Sequence, residues 1–326
     1  MINYNPTIEK FAPVLIPTLC RDVHFRNCLE SLMKCTYADK TDVYIALDYP
    51  AKDKHWEGYI KICDYLEKIK LTHGFKTLNV IKRNRNYGFG EKGNLSQLRE
   101  YVFTFNDTVI VSEDDNIFAP AFLDFMNKGL TVFANDPKVF AINGYRHFYD
   151  IKIKTNSFFR QNVDFSAWGY GIWKEKYNNA SIILSNKRNL IRKAFNPISW
   201  FRLYKSGLNR SLNYISMLLK TGYSLRDTTY SIYMILFGTH VIMPSITLVK
   251  NLGWDNSGEH CKDNLYLAKK HKEQYLDNRI NFQFTGTGYE YFKENQRIYK
   301  LQSYARIGYV EFIKRILQYC KKVKLT

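Results

Sequence analysis

Residues 108–116, TVIVSEDDN, combine an apolar run with a run of acids. The apolar run, Val109–Val111, is typical of a parallel strand that is buried on both faces of a sheet. Three acids follow directly at the end of this strand: Glu113, Asp114 and Asp115. These carboxylates repel one another and no near neighbour in sequence supplies a cation, so the pattern favours a bound divalent ion, Mg²⁺ or Mn²⁺. The alternatives are a solvated acidic loop, or acids that favour the N-terminus of a helix that begins at Pro120.

Strands and helices alternate regularly around this stretch. Apolar residues spaced i, i+3, i+4 and i+7 predict a helix between successive strands. The alternation predicts an α/β fold, a Rossmann-like and mostly parallel sheet with helices on both faces, and it stops after residue 150. Ligands of such sheets bind beyond the carboxyl ends of the strands. The predicted strands besides 109–111 are Val14–Pro17, Val43–Leu47, Leu78–Ile81 and Val139–Ile142.

The polar residues that follow these strands are therefore candidates for ligand binding. Thr18 and Arg21 follow the first strand, and Asp48 follows the second. Residues 88–93 match the pattern GxGxxG, but residues 83–87 separate them from the strand end, where a dinucleotide-binding turn has its first glycine. We interpret residues 83–93 instead as a mobile loop that reaches a phosphate through Arg85, Asn86 and Lys92.

Further signals lie in the second half of the chain. Asp227 leads into an apolar helix after a long basic stretch, so it is either a helix-start residue or a desolvated general base. Residues 251–260, NLGWDNSGEH, have the composition of a lid or of an ordinary surface loop. The lid residues singled out here are Asp255, Ser257 and His260. Trp168 and Gly169 suit either a floor for sugar stacking or core packing.

The positive charge is concentrated in two segments. The net charge is +18; residues 176–226 contain ten basic residues and no acid, and residues 297–326 contain eight basic residues and one acid. Such patches indicate an anionic partner. In the second patch, apolar side chains at helical spacing predict a helix that either lies in a membrane interface or packs on the rest of the protein. These side chains are Tyr299, Tyr304, Ile307, Phe312, Ile316 and Tyr319. An apolar content of 45% excludes a disordered chain.

Two observations bear on where in the cell the protein is expected. Six cysteines without a CxxC pair are interpreted as reduced thiols of a cytoplasmic protein, and residues 1–10 lack the apolar region of a signal peptide. Residues 228–249 are uncharged over a length that could span a membrane, but Gly238 and Pro244 interrupt them. We predict a buried helix that ends near Phe237, followed by a buried strand at 240–243.

Taken in order, these segments resemble inverting GT-A-type glycosyltransferases, specifically the bacterial family-2-like enzymes and the N-acetylglucosaminyltransferase I family. The resemblance covers residues 12–260 and rests on the order of its motifs. The motifs are Pro13–Thr18 with Arg21 and Cys28–Leu32, then Val43–Asp48, Val109–Asp115, Trp168–Gly169 and Asp227.

The resemblance implies a role for each matching residue. The first two motifs would bind the nucleotide through Pro17, Thr18, Arg21 and Asp48. Asp115 would bind the metal ion, and Glu113 and Asp114 would face the ribose or the donor sugar. Trp168 and Gly169 would precede the acceptor side, and Asp227 would be the catalytic base.

These implications define the expected function. We expect an inverting, Mn²⁺- or Mg²⁺-dependent glycosyltransferase that moves a sugar from a UDP-linked donor to a glycan or lipid-linked acceptor in bacterial surface-polysaccharide synthesis. Arg85 and Lys92 would assist the leaving diphosphate. The alternative is a non-catalytic protein that uses the two basic patches to bind nucleic acid or a membrane.

The expected domain organisation follows the same division. A catalytic domain would comprise residues 1–296, with a nucleotide-sugar half (1–150) and an acceptor half (151–296) that carries a basic insert at 186–222. Residues 297–326 would form a basic amphipathic helix. We expect peripheral association with the anionic inner face of the membrane and no binding of nucleic acid.

Overall fold

The computed structural model describes residues 6–90, 92–147, 157–219, 226–255, 269–271, 273–288 and 308–324. The strands in these ranges are β1 Val14–Thr18, β2 Asp42–Leu47, β3 Thr77–Lys82, β4 Thr108–Val111, β5 Asn116–Phe118, β6 Val139–Asn143, β7 Phe158–Gln161, β8 Tyr170–Trp173, β9 His240–Pro244 and β10 Val249–Asn251. The α-helices bounded within them are α1 Asp22–Met33, α2 Trp56–Ile69, α3 Asn94–Val102, α4 Phe122–Val132, α5 Lys174–Ser185, α6 Lys187–Ala194, α7 Pro197–Ser206, α8 Leu208–Leu219, α9 Arg226–Phe237 and α10 Tyr309–Lys324.

Eight of these strands form one mixed sheet in the order β3-β2-β1-β4-β8-β6-β9-β7. The first four strands in this order are parallel, with Val14 of β1 paired to Val43 on one side and Ile110 on the other. The carboxyl ends of β1, β2 and β4 therefore lie at the same edge. Strands β5 and β10 form a separate antiparallel pair close to that edge. The predicted α/β fold is confirmed.

Two hydrophobic cores, one on each face of the sheet, explain why the strands read as continuous apolar runs. Because side chains alternate along a strand, Val14 and Ile16 enter one core, which α1, α2 and α4 cover, while Leu15 enters the other with α3, α5 and α9. Each fully buried aliphatic side chain contributes about 2 kcal/mol of transfer free energy to this packing. The cores fix the strand ends that present the polar residues.

The structure departs from the sequence expectation at two points. Strand β6 was expected to continue the parallel series, but antiparallel β8 separates it from β4. The expected helix start at Pro120 is also shifted: α4 begins at Phe122, and the carbonyl of Pro120 accepts a hydrogen bond from the amide of Thr36. This hydrogen bond fixes Pro120 in the connection before the helix.

The uncharged stretch 228–249 folds inside the protein, as predicted. Helix α9 ends at Phe237, Gly238 has a positive φ of 70°, and β9 follows between β6 and β7 in the sheet. In the part of the chain that the structure describes, no helix combines the length and the apolar character needed to cross a bilayer. The five described cysteines, Cys20, Cys28, Cys35, Cys63 and Cys320, are free thiols.

The C-terminal helix α10 packs on the protein. Phe312 and Ile316, two residues of its predicted lipid-facing stripe, are buried against Ile215 of α8, and the hydroxyl groups of Ser216 and Tyr319 are 2.6 Å apart. The structure thus favours the packing alternative for this face, because α8 already covers it. Tyr319 also belongs to this stripe, and its other three residues, Tyr299, Tyr304 and Ile307, lie outside the described residues.

Candidate functional site

The polar centre of the site forms where the carboxyl ends of β1 and β4 meet. The hydroxyl of Thr18 donates to Asp114 Oδ2 at 2.8 Å. Arg21, which precedes α1, donates from Nη1 to Asp115 Oδ2 at 2.7 Å and from Nη2 to Asp114 Oδ1. Sequence positions more than 90 residues apart are joined in this way because β1 and β4 are hydrogen-bonded neighbours.

Strand β10 closes the site from the other side. Asn251 Nδ2 donates to Asp115 Oδ1 at 2.6 Å, and the backbone of Leu252 donates to the carbonyl of Asp115 at 2.8 Å. A Cβ atom on Gly253 would lie 2.2 Å from Asp115 Oδ2, so only glycine allows the chain to pass this close. Sequence reasoning placed 251–260 in a candidate lid but did not single out Asn251; its amide at the start of a glycine-rich stretch was the available signal.

Charge and burial set the protonation of this cluster. Burial, and then the charges of Asp115, Asp227 and Asp114, raise the pKa of Glu113 well above its ordinary value. Burial also raises the pKa of Asp114, against the opposing charge of Arg21. For Arg21, burial lowers the pKa, but the two aspartates outweigh it and raise the pKa, so the guanidinium stays charged.

The arrangement does not fit a divalent cation. All four carboxylate oxygens of Asp114 and Asp115 already accept hydrogen bonds from Thr18, Arg21 or Asn251. Across the described ranges, no group of three histidine, cysteine, aspartate or glutamate side chains is arranged to hold a metal ion. The charge conflict that suggested a metal is compensated here by Arg21, a cation distant in sequence but adjacent in space.

Asp227 lies in the first turn of α9 and is exposed. Its effect on Glu113 places the start of α9 within electrostatic reach of the acid cluster. A helix N-terminus favours a carboxylate there, because the orphan amides of the first turn carry partial positive charge. The position thus agrees with the helix-start interpretation and brings Asp227 towards the predicted active site; its role as base stays a prediction.

Asp48 organises the loop at residues 83–93. Its carboxylate accepts hydrogen bonds from the amides of Tyr49, Tyr87 and Gly88 at 3.0, 2.9 and 2.8 Å. Asn86 anchors the same loop by donating to the carbonyl of Tyr49 at 2.7 Å. Both side chains were predicted to bind the nucleotide, and in this structure their hydrogen bonds hold the loop instead.

The cations of this loop remain accessible. Arg85 is exposed and lies over the ring of Tyr87, 4.8 Å from its centroid, and Lys92 is exposed near the start of α3. Gly88 and Gly90 have positive φ angles of 56° and 113°, which explains the glycines of the GxGxxG match by turn geometry. Pro17, predicted to bind the nucleotide as well, lies within β1 opposite Ala46.

An aromatic cluster flanks the acid cluster. The Trp168 ring packs edge-on against Tyr145 and His271, and Trp254 stacks on His271 with ring centroids 4.3 Å apart. The indole N–H of Trp254 is buried and has no hydrogen-bond partner among the described residues. Gly169, next to Trp168, has a positive φ of 71° that favours glycine.

The predicted lid residues are only partly described. Asp255 Oδ2 lies 3.1 Å from Nε2 of His24 on α1, so the stretch after β10 contacts the first helix. Ser257 and His260 lie outside the described residues.

No family model matches the chain, and no curated protein matches it. Solved structures similar to it include a mannosyltransferase from Pyrobaculum calidifontis, PcManGT, in complex with GDP-Man and Mn²⁺, at 10% identity and a TM-score of 0.38, covering 72% of this chain and 71% of that one. Residues 1–349 of S. aureus TarS align at 12% identity and a TM-score of 0.41, covering 74% of this chain and 59% of that one.

A third similar structure is the glycosyltransferase GlyE of Streptococcus pneumoniae TIGR4, at 12% identity and a TM-score of 0.37, covering 96% of this chain and 65% of that one. This chain therefore spans less than two thirds of the TarS and GlyE chains. PcManGT is a mannosyltransferase and GlyE a glycosyltransferase by name, which is the class of enzyme that this sequence resembles. The narrower resemblance to N-acetylglucosaminyltransferase I stays a prediction.

Proposed function

We propose that this chain is an inverting glycosyltransferase that uses a nucleotide-sugar donor. The observation that supports this most is the meeting of Arg21, the acids 113–115 and the start of α9 at the carboxyl ends of β1 and β4. Ligands of open α/β sheets bind at this edge. Perturbed acids in such a position are typical of a functional site.

In the proposed reaction, the hydroxyl oxygen of the acceptor attacks the anomeric carbon of the donor sugar. Its proton passes to the carboxylate of Asp227, which acts as general base. The bond between the anomeric carbon and the diphosphate oxygen breaks, and its electron pair leaves with the diphosphate. Arg85 and Lys92 compensate for that developing charge. Attack from the face opposite the leaving group inverts the anomeric centre.

A divalent cation at Asp115 would compete with the guanidinium of Arg21. Mn²⁺ or Mg²⁺ at Asp115 stays a prediction of the sequence, and such an ion would have to displace the guanidinium from Asp115 Oδ2. We assign no reaction step to a metal ion. In the arrangement described above, Arg21 itself compensates for the charge of Asp114 and Asp115.

The aromatic cluster supports a sugar-binding role for the acceptor side. Trp168 and Trp254 offer ring faces and edges, and the unpartnered indole N–H of Trp254 offers a donor for a sugar hydroxyl. Burial, and then the charge of His147, lower the pKa of His271 to about 4, so its imidazole is neutral where it stacks on Trp254. A UDP-linked donor and a glycan or lipid-linked acceptor of surface-polysaccharide synthesis complete the proposal.

A donor screen tests the proposal. UDP-, GDP-, CMP- and dTDP-sugars are compared by thermal shift and by slow donor hydrolysis, each with and without Mn²⁺. We expect UDP-sugars to raise the melting temperature, because a ligand that binds only the folded state stabilises it. A different preferred nucleotide would change only the donor. If no nucleotide sugar shifts the melting temperature or is hydrolysed, the chain is not a glycosyltransferase of this kind.

A further inference from the structure

The basic insert contains two helices whose starts are well defined. The side chain of Asn186 caps α6 by accepting from the amides of Arg188 and Asn189, and Asn196 caps α7 by accepting from those of Ile198 and Ser199. Pro197 occupies the first turn of α7, where its missing N–H costs nothing. The indole of Trp200 donates to the carbonyl of Ala194 and ties α7 to the end of α6.

The two sides of α7 differ sharply. Ser199, Leu203 and Ser206, at i, i+4 and i+7, are buried and face the protein. Ile198 and Phe201 point the other way and are 61% and 53% exposed. Lys205 continues this outward stripe, with its ammonium 4.3 Å from the centroid of the Phe201 ring. Large apolar side chains and a cation thus share the solvent side of the helix.

Helix α6 repeats the arrangement. Leu190 is buried, whereas Ile191 is 40% exposed and Phe195, just beyond the last turn, is 83% exposed. Lys187, Arg188 and Arg192 are exposed on the same helix. We call the outward residues of the two helices the α6–α7 face; its apolar members are Ile191, Phe195, Ile198 and Phe201, and its cations are Lys187, Arg188, Arg192 and Lys205.

We propose that the α6–α7 face binds an anionic lipid bilayer, with its apolar side chains inserted below the headgroups and its cations against the lipid phosphates. Ile191 and Phe195 are four residues apart, and Ile198 and Phe201 are three apart, so each pair lies on one side of its helix. Exposed apolar side chains that are neighbours in this way mark an interaction surface. Their mixture with cations, in a segment that contains no acid from 176 to 226, is complementary to an anionic membrane and typical of helices that lie in its interface. Nucleic acid would engage the cations but would leave Ile191, Phe195 and Ile198 in water.

The proposal relocates the membrane contact that the sequence suggested for the C-terminal helix. The apolar face of α10 is covered by α8, whereas nothing among the described residues covers the apolar members of the α6–α7 face to a comparable extent. Membrane binding by this face does not depend on the proposed function. Only its biological role does, which is to hold the enzyme beside a lipid-linked acceptor. Vesicle binding is therefore measured without donor or acceptor.

Sedimentation with vesicles tests the face directly. The full chain is mixed at low salt with vesicles of phosphatidylcholine alone or of phosphatidylcholine with phosphatidylglycerol. A charge variant carries Lys187→Gln, Arg188→Gln and Arg192→Gln. An apolar variant carries Phe195→Ser and Ile198→Ser. The single substitution Phe195→Ser is measured as well, in case the double substitution prevents folding. Matched controls are Leu71→Ser, at a side chain that is 94% exposed, and Lys314→Gln with Lys321→Gln on α10.

The wild-type chain and both controls should bind only the vesicles that contain phosphatidylglycerol. The charge variant should bind about 100-fold more weakly, since each cation near an anionic surface contributes about fivefold. The apolar variant should lose about tenfold or more. Melting temperature and donor binding should stay unchanged in all variants. A wild-type chain that binds these vesicles but no nucleotide sugar would refute the proposed function and leave this surface in place.

Three results with vesicles would overturn the proposal. They are equal binding to neutral vesicles, unchanged vesicle binding by Phe195→Ser and by the apolar variant, and loss of binding in the α10 control instead. Tight, salt-sensitive binding of RNA that displaces the vesicles and ignores the apolar variant would identify nucleic acid as the partner.

Discussion

Charged side chains are concentrated in two regions of this molecule. In one region they are paired inside the protein, and in the other they are exposed to solvent. At the carboxyl ends of β1 and β4, Glu113, Asp114 and Asp115 are gathered with Arg21, and hydrogen bonds satisfy every carboxylate oxygen of the two aspartates. On α6 and α7 the cations stay exposed beside exposed apolar side chains. In the first region, Arg21 compensates for the negative charge, and the hydrogen bonds fix the positions of the two aspartates. The second has no acid in its own segment and is suited to an external anion.

The largest effect is expected at the acid cluster. Asp227→Asn removes the proposed proton acceptor, and general bases contribute about 10²- to 10⁴-fold to rate. Transfer should therefore fall by about 10³-fold while UDP binding stays within about twofold, because a general base acts in the transition state. Initial rates of transfer and equilibrium binding of UDP check this.

Glu175→Gln is the matched control for that variant. Glu175 is also an exposed acid in the first turn of a helix, α5, so both changes remove the same favourable charge from a helix N-terminus. The control should keep full activity. Equal losses in the two variants would mean that Asp227 serves only as a helix-start residue.

Arg21→Met tests whether Arg21 is the internal counter-ion. Removing one partner of a buried ion pair costs about 3–5 kcal/mol, because the charges left behind are uncompensated. Since the Arg21 side chain keeps 24% of its surface exposed, we expect the lower end, about 3 kcal/mol, measured by urea unfolding at neutral pH. Arg26→Met, at an exposed position on α1, should cost less than about 1 kcal/mol.

Adding Mn²⁺ to the Arg21→Met variant tests whether a metal ion can replace the guanidinium at the acid cluster. If Mn²⁺ restores the melting temperature of the variant and leaves the wild type unchanged, the carboxylates hold a divalent cation once the guanidinium is gone. An Arg21→Met protein as stable as the wild type would show that the acid cluster does not depend on internal compensation.

Helix α10 shares a feature with each of the two regions. It is basic, as α6 and α7 are, but its apolar side is packed inside the protein. Phe312→Ala should cost about 3 kcal/mol in urea unfolding, because the phenyl ring is fully buried against α8 and its loss leaves a cavity. Val310→Ala, at a side chain that is 71% exposed, should stay within about 0.5 kcal/mol. If Phe312→Ala is equally harmless, α10 does not pack stably on α8.

The sequence predicted the first half of the fold well because local and long-range signals agree there. Val109–Val111 and Val43–Leu47 are apolar runs flanked by clear helical periodicity, and both became neighbours of β1. The position of β8 between β4 and β6 was not predictable in the same way. It depends on packing of residues distant in sequence, such as Leu130 against Gly171, rather than on any local pattern.

The site shows the same limit more sharply. Thr18, Arg21 and the acids 113–115 were expected at one sheet edge because each follows a strand, and the structure brings Thr18 and Arg21 onto Asp114 and Asp115. The ion pairs between Arg21 and these aspartates were not predicted. Counting the charges near 113–115 in sequence cannot detect a cation that follows β1 and is adjacent only in space. Asp48 was likewise placed at the correct strand end, while its hydrogen bonds to loop amides could not be read from residue types.

The smallest effect concerns Glu113, and it has a definite sign. Because burial raises its pKa above the ordinary 4.5, the folded state keeps a proton that the unfolded chain releases. Folding stability therefore falls as the pH rises from about 4.5 towards the folded-state pKa, since the folded state binds more protons over that range. Glu113→Gln stays neutral at every pH, so its melting temperature should match that of the wild type in acid and exceed it increasingly as the pH rises. Glu100→Gln, at an exposed position on α3, should follow the wild-type curve throughout. Parallel melting curves for Glu113→Gln and the wild type would mean that Glu113 is ionised in the folded protein, and that compensation by Arg21 extends to all three acids.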